Sequence, residues 1–448
     1  MSAVDNTQNP ALSHEGAVQR FLRATEIDSR MLGMVGALLV IWIGFDIYSG
    51  MLRDGEGLFG GSFLTPRNLW ILLVQTSSIA VMTTGMVLII VMRHIDLSVG
   101  SILGFTSVCI ASMQVFWLGP MLGVGHPSIW IITLVLGLLL GAAIGTFHGF
   151  LIAYMGIPSF IVTLGGLIVW RGAAWAVIRG ETVAPMDKNF KLIGGGISGI
   201  TPGSIGATAS WILGLIICLA IVAAIWNGRT QRRRFNFPQR PMWAEYFLAI
   251  AGCALALGAT WLVNSYYWPK GVVDRYVQAT GITVPPEGLS IAFGYSIPVL
   301  IALGVGVAMT FLATRTRFGR YVYAIGGNPE AAELAGINTK KITVMIFALM
   351  GTLAAISASI TSARLDSATN ALGQFDELYV IAAAVIGGTS LAGGLGTIYG
   401  AMLGALVMQS LQSGMTLLNF ESATKDIVVG CVLVFAVWVD QVYRRRVK

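Results

Sequence analysis

Apolar runs close to the length of a membrane span dominate this sequence. A helix needs roughly 20 predominantly apolar residues to cross the hydrocarbon core of a bilayer. Of the 448 residues, 55% are apolar and only 11% are charged, against about 25% charged in soluble domains. Backbone polar groups in lipid must be satisfied within helices or closed barrels. The sequence therefore predicts an all-α, polytopic membrane protein with about twelve spans: 31–50, 68–92, 99–119, 129–155, 160–178, 211–226, 243–266, 292–313, 342–362, 379–398, 400–418 and 426–440.

The placement of lysine and arginine predicts the orientation of these spans. If the N-terminus is cytoplasmic, the inside segments hold roughly twice as many of the cationic residues as the outside loops, in keeping with the positive-inside tendency. The chain then divides into a cytoplasmic N-terminal segment, 1–30, a transmembrane domain, 31–440, and a basic cytoplasmic tail, 441–448. The loops 227–242 and 314–341 are also expected in the cytoplasm.

The N-terminal segment is predicted to contain one short helix. Residues 1–13 are polar and are expected to be disordered, and no cleavable signal peptide is expected because the first apolar run begins near Met31. Between His14 and Arg30, apolar residues share one helical face and arginines surround it. This pattern indicates an interfacial helix, with a solvated tail as the alternative.

A short helix with well-defined ends is predicted over 328–336, on a charged loop between two spans. Asn328 is a good N-cap, and Pro329 suits the first helical position. Glu330 complements the positive end of the helix dipole, and Gly336 supplies a left-handed stop. Two interpretations are open: the helix is a protrusion for another protein, or an interfacial helix that eases the turn.

Three stretches, 93–104, 156–172 and 374–400, differ from ordinary spans. In the first, charge and two glycines separate two apolar runs with no real loop, which indicates a broken helix. In the second, Pro158 can begin a helix. In the third, about ten apolar residues precede GGTSLAGG, too few to cross the bilayer, so we predict a half-helix, a glycine-rich break and a new helix.

Transporters use broken helices of this kind around a substrate path. Unpaired backbone at membrane depth must face protein or a water-filled cavity. The residues predicted to line or border a translocation path are Asp96, Ser98, Gly100, Gly387, Gly388, Thr389 and Ser390. Tight packing of helices through small residues is the alternative.

Several functional classes lack their motifs in this sequence. It contains no phosphate-binding G-x-x-x-x-G-K-[S/T] loop, no H-E-x-x-H and no metal-spaced Cys/His cluster. Its four cysteines lie in apolar runs and are interpreted as packing residues. Intramembrane carboxylates are scarce, and Asp96 is the best candidate for an acid beside the path. We therefore expect the energy for any transport to come from a partner.

Four segments occur in order along the chain: TTGMVLIIVMRHIDLSVGSILG at 83–104, IPSFIVTLGGLIVWRG at 157–172, FGRYVYAIGGNPEAAELAGI at 318–337 and AAAVIGGTSLAGGLGTIYGAMLG at 382–404. Together they resemble the permease subunits of bacterial ABC sugar importers, in the branch that serves ribose, galactose and xylose. The extra pair of spans near 211–266 departs from the shorter ribose-type pattern and resembles the longer, xylose-type permeases.

The resemblance implies a permease subunit in the bacterial inner membrane that imports D-xylose or a related pentose or hexose. It implies a second permease copy, forming a homodimer or a pair of related chains, and a periplasmic sugar-binding protein. It also implies a separate ATPase that binds ATP and magnesium, while this chain binds no cofactor, metal or nucleic acid. The predicted ATPase-coupling residues are Arg320, Asn328, Pro329, Glu330, Ala332, Leu334 and Gly336.

The residues also predict a contact surface for the ATPase, and they leave two alternative functions open. Ala332, Leu334, Ala335 and Ile337 are expected to be available for contact with the ATPase. The alternative functions are an ion-coupled secondary transporter, which needs a titratable or sodium-binding site at the midplane, and a membrane-embedded enzyme, which needs convergent catalytic groups.

Overall fold

The computed structural model describes residues 17–52, 60–286 and 288–447. The expected disorder of residues 1–13 lies outside this part of the chain. The described residues form two compact units. One unit combines the segment up to Gly33 with Trp211–Trp261, and the other combines Met34–Ser210 with Leu262 onwards.

Helices account for nearly all of the regular structure. Their bounds are α1 Ala17–Thr25, α2 Ser29–Met51, α3 Pro66–Val91, α4 Val99–Ser112, α5 Gly119–Leu122, α6 Ser128–Ala153, α7 Ser159–Ile178, α8 Gly206–Arg234, α9 Met242–Asn264, α10 Lys270–Thr280, α11 Ile297–Arg315, α12 Arg317–Gly327, α13 Pro329–Leu334, α14 Thr339–Leu365, α15 Asp376–Ile386, α16 Ile398–Leu417 and α17 Ser422–Val447. A π-helical turn, Met113–Leu118, joins α4 to α5, and a short 3₁₀ helix covers Phe190–Gly194. A small antiparallel hairpin pairs β1, Ile197–Ser198, with β2, Thr201–Pro202.

Nine helical segments of the described chain are long and apolar enough to cross a membrane. They are α2, α3, the continuous run from α4 to α5, α6, α7, α8, α9, α11 and α14. The prediction of an all-α polytopic membrane protein is confirmed. One predicted span, 379–398, is wrong as a continuous helix, because α15 ends at Ile386 and α16 begins only at Ile398. The half-helix and glycine-rich break predicted for 374–400 are confirmed.

Helix α3 forms the centre of the larger unit, and 94% of the residues in its most apolar stretch are buried. Helices α14, α15 and α16 all pack against it. On its far side, α14 packs closely on α6, where Gly141 and Gly145 face the backbone around Gly351. A Cβ atom at any of these three glycines would overlap the opposite helix. Small residues thus set the close helix packing that is typical of membrane bundles.

The smaller unit combines α1 with the hairpin of α8 and α9. The helix predicted near the N-terminus is confirmed as α1, and Phe21 on it contacts the rings of Trp243 and Phe247. After α1, the carboxylate of Glu26 accepts hydrogen bonds from Arg232 at 2.7 Å and from Arg240 at 2.8 Å. The hydrogen bond from Arg232 and, to a smaller extent, the one from Arg240 lower the pKa of Glu26 to about 2.

Candidate functional site

A polar cavity of about 740 Å³ lies in the larger unit. Its walls are α3, the last turns of α14, the C-terminal half of α16 and the loop before α15. By the predicted orientation, these are the outer ends of the helices. The polar residues of its lining are Asn68, Gln75, Ser78, Thr361, Arg364, Thr369, Gln374, Asp376, Gln409, Gln412, Ser413, Thr416 and Asn419.

Hydrogen bonds join the three long helices of the wall. The amide of Gln409 on α16 donates to Gln75 Oε1 on α3 at 3.2 Å. On the other side, Thr361 of α14 donates to Ser78 Oγ at 2.9 Å, and Ser357 donates to the Ser78 carbonyl at 2.8 Å. Four of the polar lining residues, Gln75, Ser78, Thr361 and Gln409, are therefore held in place by bonds between the helices of the wall.

The lining offers the hydrogen-bonding groups that suit a neutral polyol. Its glutamine and asparagine amides can both donate and accept, its hydroxyls do the same, the Asp376 carboxylate accepts and the Arg364 guanidinium donates. The volume is within the range of small-molecule sites, roughly 300–1,000 Å³. Among the described residues, no group of three or more His, Cys, Asp or Glu is placed to hold a metal ion.

None of the cavity residues was among the predicted site residues. The signal that could have found them is the presence of Gln75, Gln409 and Gln412 inside predicted spans. Polar side chains within membrane helices usually face the bundle interior or a water-filled cavity. The sequence gives no helix rotation, so it could not show that these three amides face one space.

The structure confirms the predicted break between α3 and α4, and Asp96 and Ser98 lie in it. Ser98 donates to Asp96 Oδ1 from its backbone N–H at 2.8 Å and from its hydroxyl at 2.6 Å. Trp170 donates to His148 Nε2 at 3.0 Å, and His148 Nδ1 is 3.3 Å from Ser98 Oγ. An indole N–H is only a donor, so this arrangement assigns the imidazole proton to Nδ1. Asp96 thus ends a buried hydrogen-bond chain, at 1% exposure.

Gly100 lies on the first turn of α4 and contacts the loop that lines the cavity. A Cβ atom there would overlap the Glu377 carboxylate and the Gly373 carbonyl oxygen. Gly373 itself lines the cavity. Glycine is therefore needed for α4 to approach the cavity wall, although Gly100 is not part of the lining.

The second group of predicted path residues lies in the break between α15 and α16. Gly387 packs on the backbone of Ala401, and Gly388 has a φ of +85° that favours glycine. Thr389 and Ser390 are buried, and within the described structure their hydroxyls have no hydrogen-bond partner. None of the seven predicted path residues lines the 740 Å³ cavity, so their role in a path stays a prediction.

Helix α13 has the ends predicted from its sequence. Asn328 Oδ1 accepts a hydrogen bond from the Ala331 N–H at 3.1 Å, Pro329 is the first helical residue, and Gly336 has a φ of +81°. Arg320, on the preceding helix α12, and Glu330 are both exposed.

One expectation about the surface of α13 is wrong. Ala332 is not available to a partner, because it is 4% exposed and packs into the chain's own core. Ile337 is half-buried against the same core. Leu334 is 91% exposed. The face with Ala332 therefore anchors the short helix to the core, and the opposite face exposes Leu334.

Apolar helices around a polar cavity, with broken helices beside it, are typical of a membrane transport protein. The family model of the branched-chain amino acid transport system / permease component matches residues 239–437. The chain is 38% identical over 386 residues to the xylose transport system permease protein XylH of Escherichia coli strain K12, covering 86% of this chain and 88% of that protein. The chain belongs to this family of transport-system permease components.

Two further relatives give the same result. XylH of Haemophilus influenzae is 36% identical over 382 residues, covering 85% of this chain and 90% of that protein. The ribose import permease protein RbsC of Escherichia coli strain K12 is 30% identical over 380 residues, covering 85% and 87% of the two chains. No solved structure gives a significant match.

Proposed function

We propose that this chain is the translocation subunit of an ABC importer that moves a monosaccharide, D-xylose or a related pentose or hexose, into the cytoplasm. One observation carries the proposal. The helices that line the polar cavity at one end reach, at the other end, the region of the exposed helix α13. Helix α14 begins five residues after Leu334, and Thr339 on its first turn donates to Glu333 of α13 at 2.6 Å.

The substrate class follows from the cavity. A monosaccharide presents several neutral hydroxyl groups, each a donor and an acceptor. Planar side chains such as those of Gln75, Gln412 and Asp376 can bind neighbouring hydroxyls in pairs. The names of the relatives, xylose and ribose permeases, favour a pentose.

The energy source in this proposal is a separate ATPase that binds ATP and magnesium and docks on α13. A helix of six residues is too short to be stable alone in water, and Ala332 anchors only one of its faces. Burial of the Leu334 side chain by a partner would contribute about 2 kcal/mol. Exposed Glu330 and Arg320 supply charges that can orient the partner.

The remaining partners and the location belong to the same proposal. A second copy of the chain completes the path, and a periplasmic sugar-binding protein docks on the predicted outer loops 179–210, 267–290 and 363–378. The first and the last of these loops are joined to each other, since Val183 pairs with Ala368 and Lys191 forms a 2.5 Å ion pair with Asp366. The membrane is the bacterial inner membrane, with both termini in the cytoplasm, as the bias of cationic residues predicts.

Substitution of Leu334 by aspartate tests the docking surface. Leu334→Asp should abolish retention of the ATPase subunit on purified complex and reduce sugar uptake, and Glu330→Lys should weaken both. Membrane insertion should be normal, because neither side chain contributes to the core. Val124→Asp is the matched control, an 84% exposed apolar residue in a predicted outside loop. If both α13 variants retained the ATPase subunit and took up sugar as the wild type does, the helix would have no coupling role and would be an interfacial helix only.

A further inference from the structure

The end of α3 is tied to the segment that leads into α13. Arg93 follows α3 in a left-handed conformation, with φ of +65°. Its guanidinium donates from Nε to the Gly326 carbonyl at 2.9 Å and from Nη2 to the Gly327 carbonyl at 2.7 Å. These carbonyls end α12, directly before the N-cap Asn328. A guanidinium suits the negative end of a helix.

The glycine-rich break between α15 and α16 meets the same point. The Gly394 N–H donates to the Val91 carbonyl at 2.9 Å, and the Tyr323 hydroxyl on α12 donates to the Gly396 carbonyl at 2.7 Å. A Cβ atom at Gly326 would overlap the Val91 carbonyl. We call this meeting of the α3 end, the α12 end and the glycine-rich break the Arg93 junction.

The junction is connected to the cavity by a stiff element. Helix α3 has 26 residues, a length of about 39 Å at 1.5 Å per residue. It is almost wholly buried, and its first turns line the cavity through Asn68, Ile71 and Gln75. A displacement of α12 and α13 therefore acts directly on the far end of a cavity-lining helix and on the break beside it.

We propose that Arg93 is a positioning residue that transmits movement of α13 to α3 and the glycine-rich break. The inference rests on the proposed function, since it takes an ATPase on α13 as the source of that movement. A helix-capping role alone would stabilise α12 without affecting the yield of transport. The two roles differ in the amount of sugar transported per ATP hydrolysed.

The test uses the complete transporter in proteoliposomes and compares Arg93→Met with wild type. Methionine keeps an unbranched apolar stem and removes both hydrogen bonds to α12. The ATPase subunit should remain bound and hydrolyse ATP at close to the wild-type rate. Sugar uptake per ATP should fall about three- to tenfold. Arg93→Lys, which keeps one cationic donor, should restore part of the yield.

Two further variants keep the test decisive. Tyr323→Phe removes only the hydroxyl that bonds Gly396, and it should lower uptake per ATP in the same direction with normal folding. Arg234→Met is the control for loss of a cytoplasmic arginine, since Arg234 ends α8 in the predicted cytoplasmic loop 227–242, where its guanidinium lies 5.9 Å from the centre of the Phe235 ring. Unchanged uptake per ATP in Arg93→Met and Tyr323→Phe would overturn the proposal, as would loss of the ATPase subunit from Arg93→Met. Failure of the wild-type chain to bind any ATPase would instead refute the proposed function.

Discussion

Ala332 and Leu334 lie two residues apart on α13 and have opposite environments. Both are apolar, and both were predicted from the sequence to be available to a partner. The structure buries Ala332 and leaves Leu334 bare. The capping residues could be predicted because Asn328 and Gly336 act on their own backbone neighbourhood. The buried face could not, because it depends on what α13 packs against.

At the cavity, we predict that Gln412→Leu reduces sugar uptake. The substitution nearly conserves volume and removes an amide, with its two N–H donors and its accepting oxygen, from the lining. A lost hydrogen bond that leaves a bound hydroxyl unpaired costs about 1–3 kcal/mol, so the KM for uptake should rise roughly five- to 150-fold. Ile71→Leu in the same wall changes no polar group and should transport normally. Equal KM values for Gln412→Leu and wild type would exclude this cavity as the sugar site.

In the glycine-rich break, we predict that Thr389→Val impairs uptake while expression and thermal stability stay normal. The Thr389 hydroxyl is buried and has no partner within the described structure, so replacing it by a methyl group of similar shape has little cost to folding. Ala401→Gly, in the helix packed against the same break, is a control for simple loosening of packing. Wild-type uptake in Thr389→Val would favour the packing interpretation over a role in the path.

At the scale of elements, the breaks were predictable and the connections were not. Two local patterns predict the breaks: charge next to glycine at 93–104, and an apolar run before GGTSLAGG that is too short to cross the bilayer. Both depend only on residues close together in the chain. Both breaks are present, between α3 and α4 and between α15 and α16. Helix α10 and the 3₁₀ helix at Phe190–Gly194 were missed, because short amphipathic segments in loops carry a weak hydrophobic signal.

The link between α1 and the α8–α9 hairpin leads to a pH prediction. The pKa of Glu26 is lowered to about 2 in the folded chain, so the stabilisation by its arginines is fully present above the ordinary pKa and is lost as pH falls from there to about 2. The carboxylate is 42% exposed, and such a pair contributes less than about 1 kcal/mol.

Glu26→Gln should therefore lower the thermal unfolding midpoint slightly at pH 7, and the difference from wild type should shrink as the pH is lowered below the ordinary pKa of glutamate. Differential scanning fluorimetry of the purified protein in detergent measures both values. Glu330→Gln, an exposed glutamate of the other unit, controls for a general charge effect. A difference that stays constant down to the most acidic sample would contradict the assigned ion pairs.

At the scale of the whole molecule, the membrane class was evident from composition, while the site was not. Twelve apolar stretches and the four resembling segments led to the permease family, which the relatives confirm. The cavity is formed by side chains that lie hundreds of positions apart, such as Gln75 and Gln409. Their meeting depends on the rotation and pairing of α3 and α16, which the periodicity of a nearly uniform apolar sequence does not determine.

Uptake of radiolabelled xylose into proteoliposomes tests the central claim most directly. The liposomes would contain this chain alone, or this chain with the ATPase subunit and the sugar-binding protein of the same transport system. We predict uptake only with all components and ATP on the ATPase side, and none with a proton or sodium gradient applied to the chain alone. Uptake by the chain alone, driven by an ion gradient and independent of ATP, would contradict the account and identify a secondary transporter.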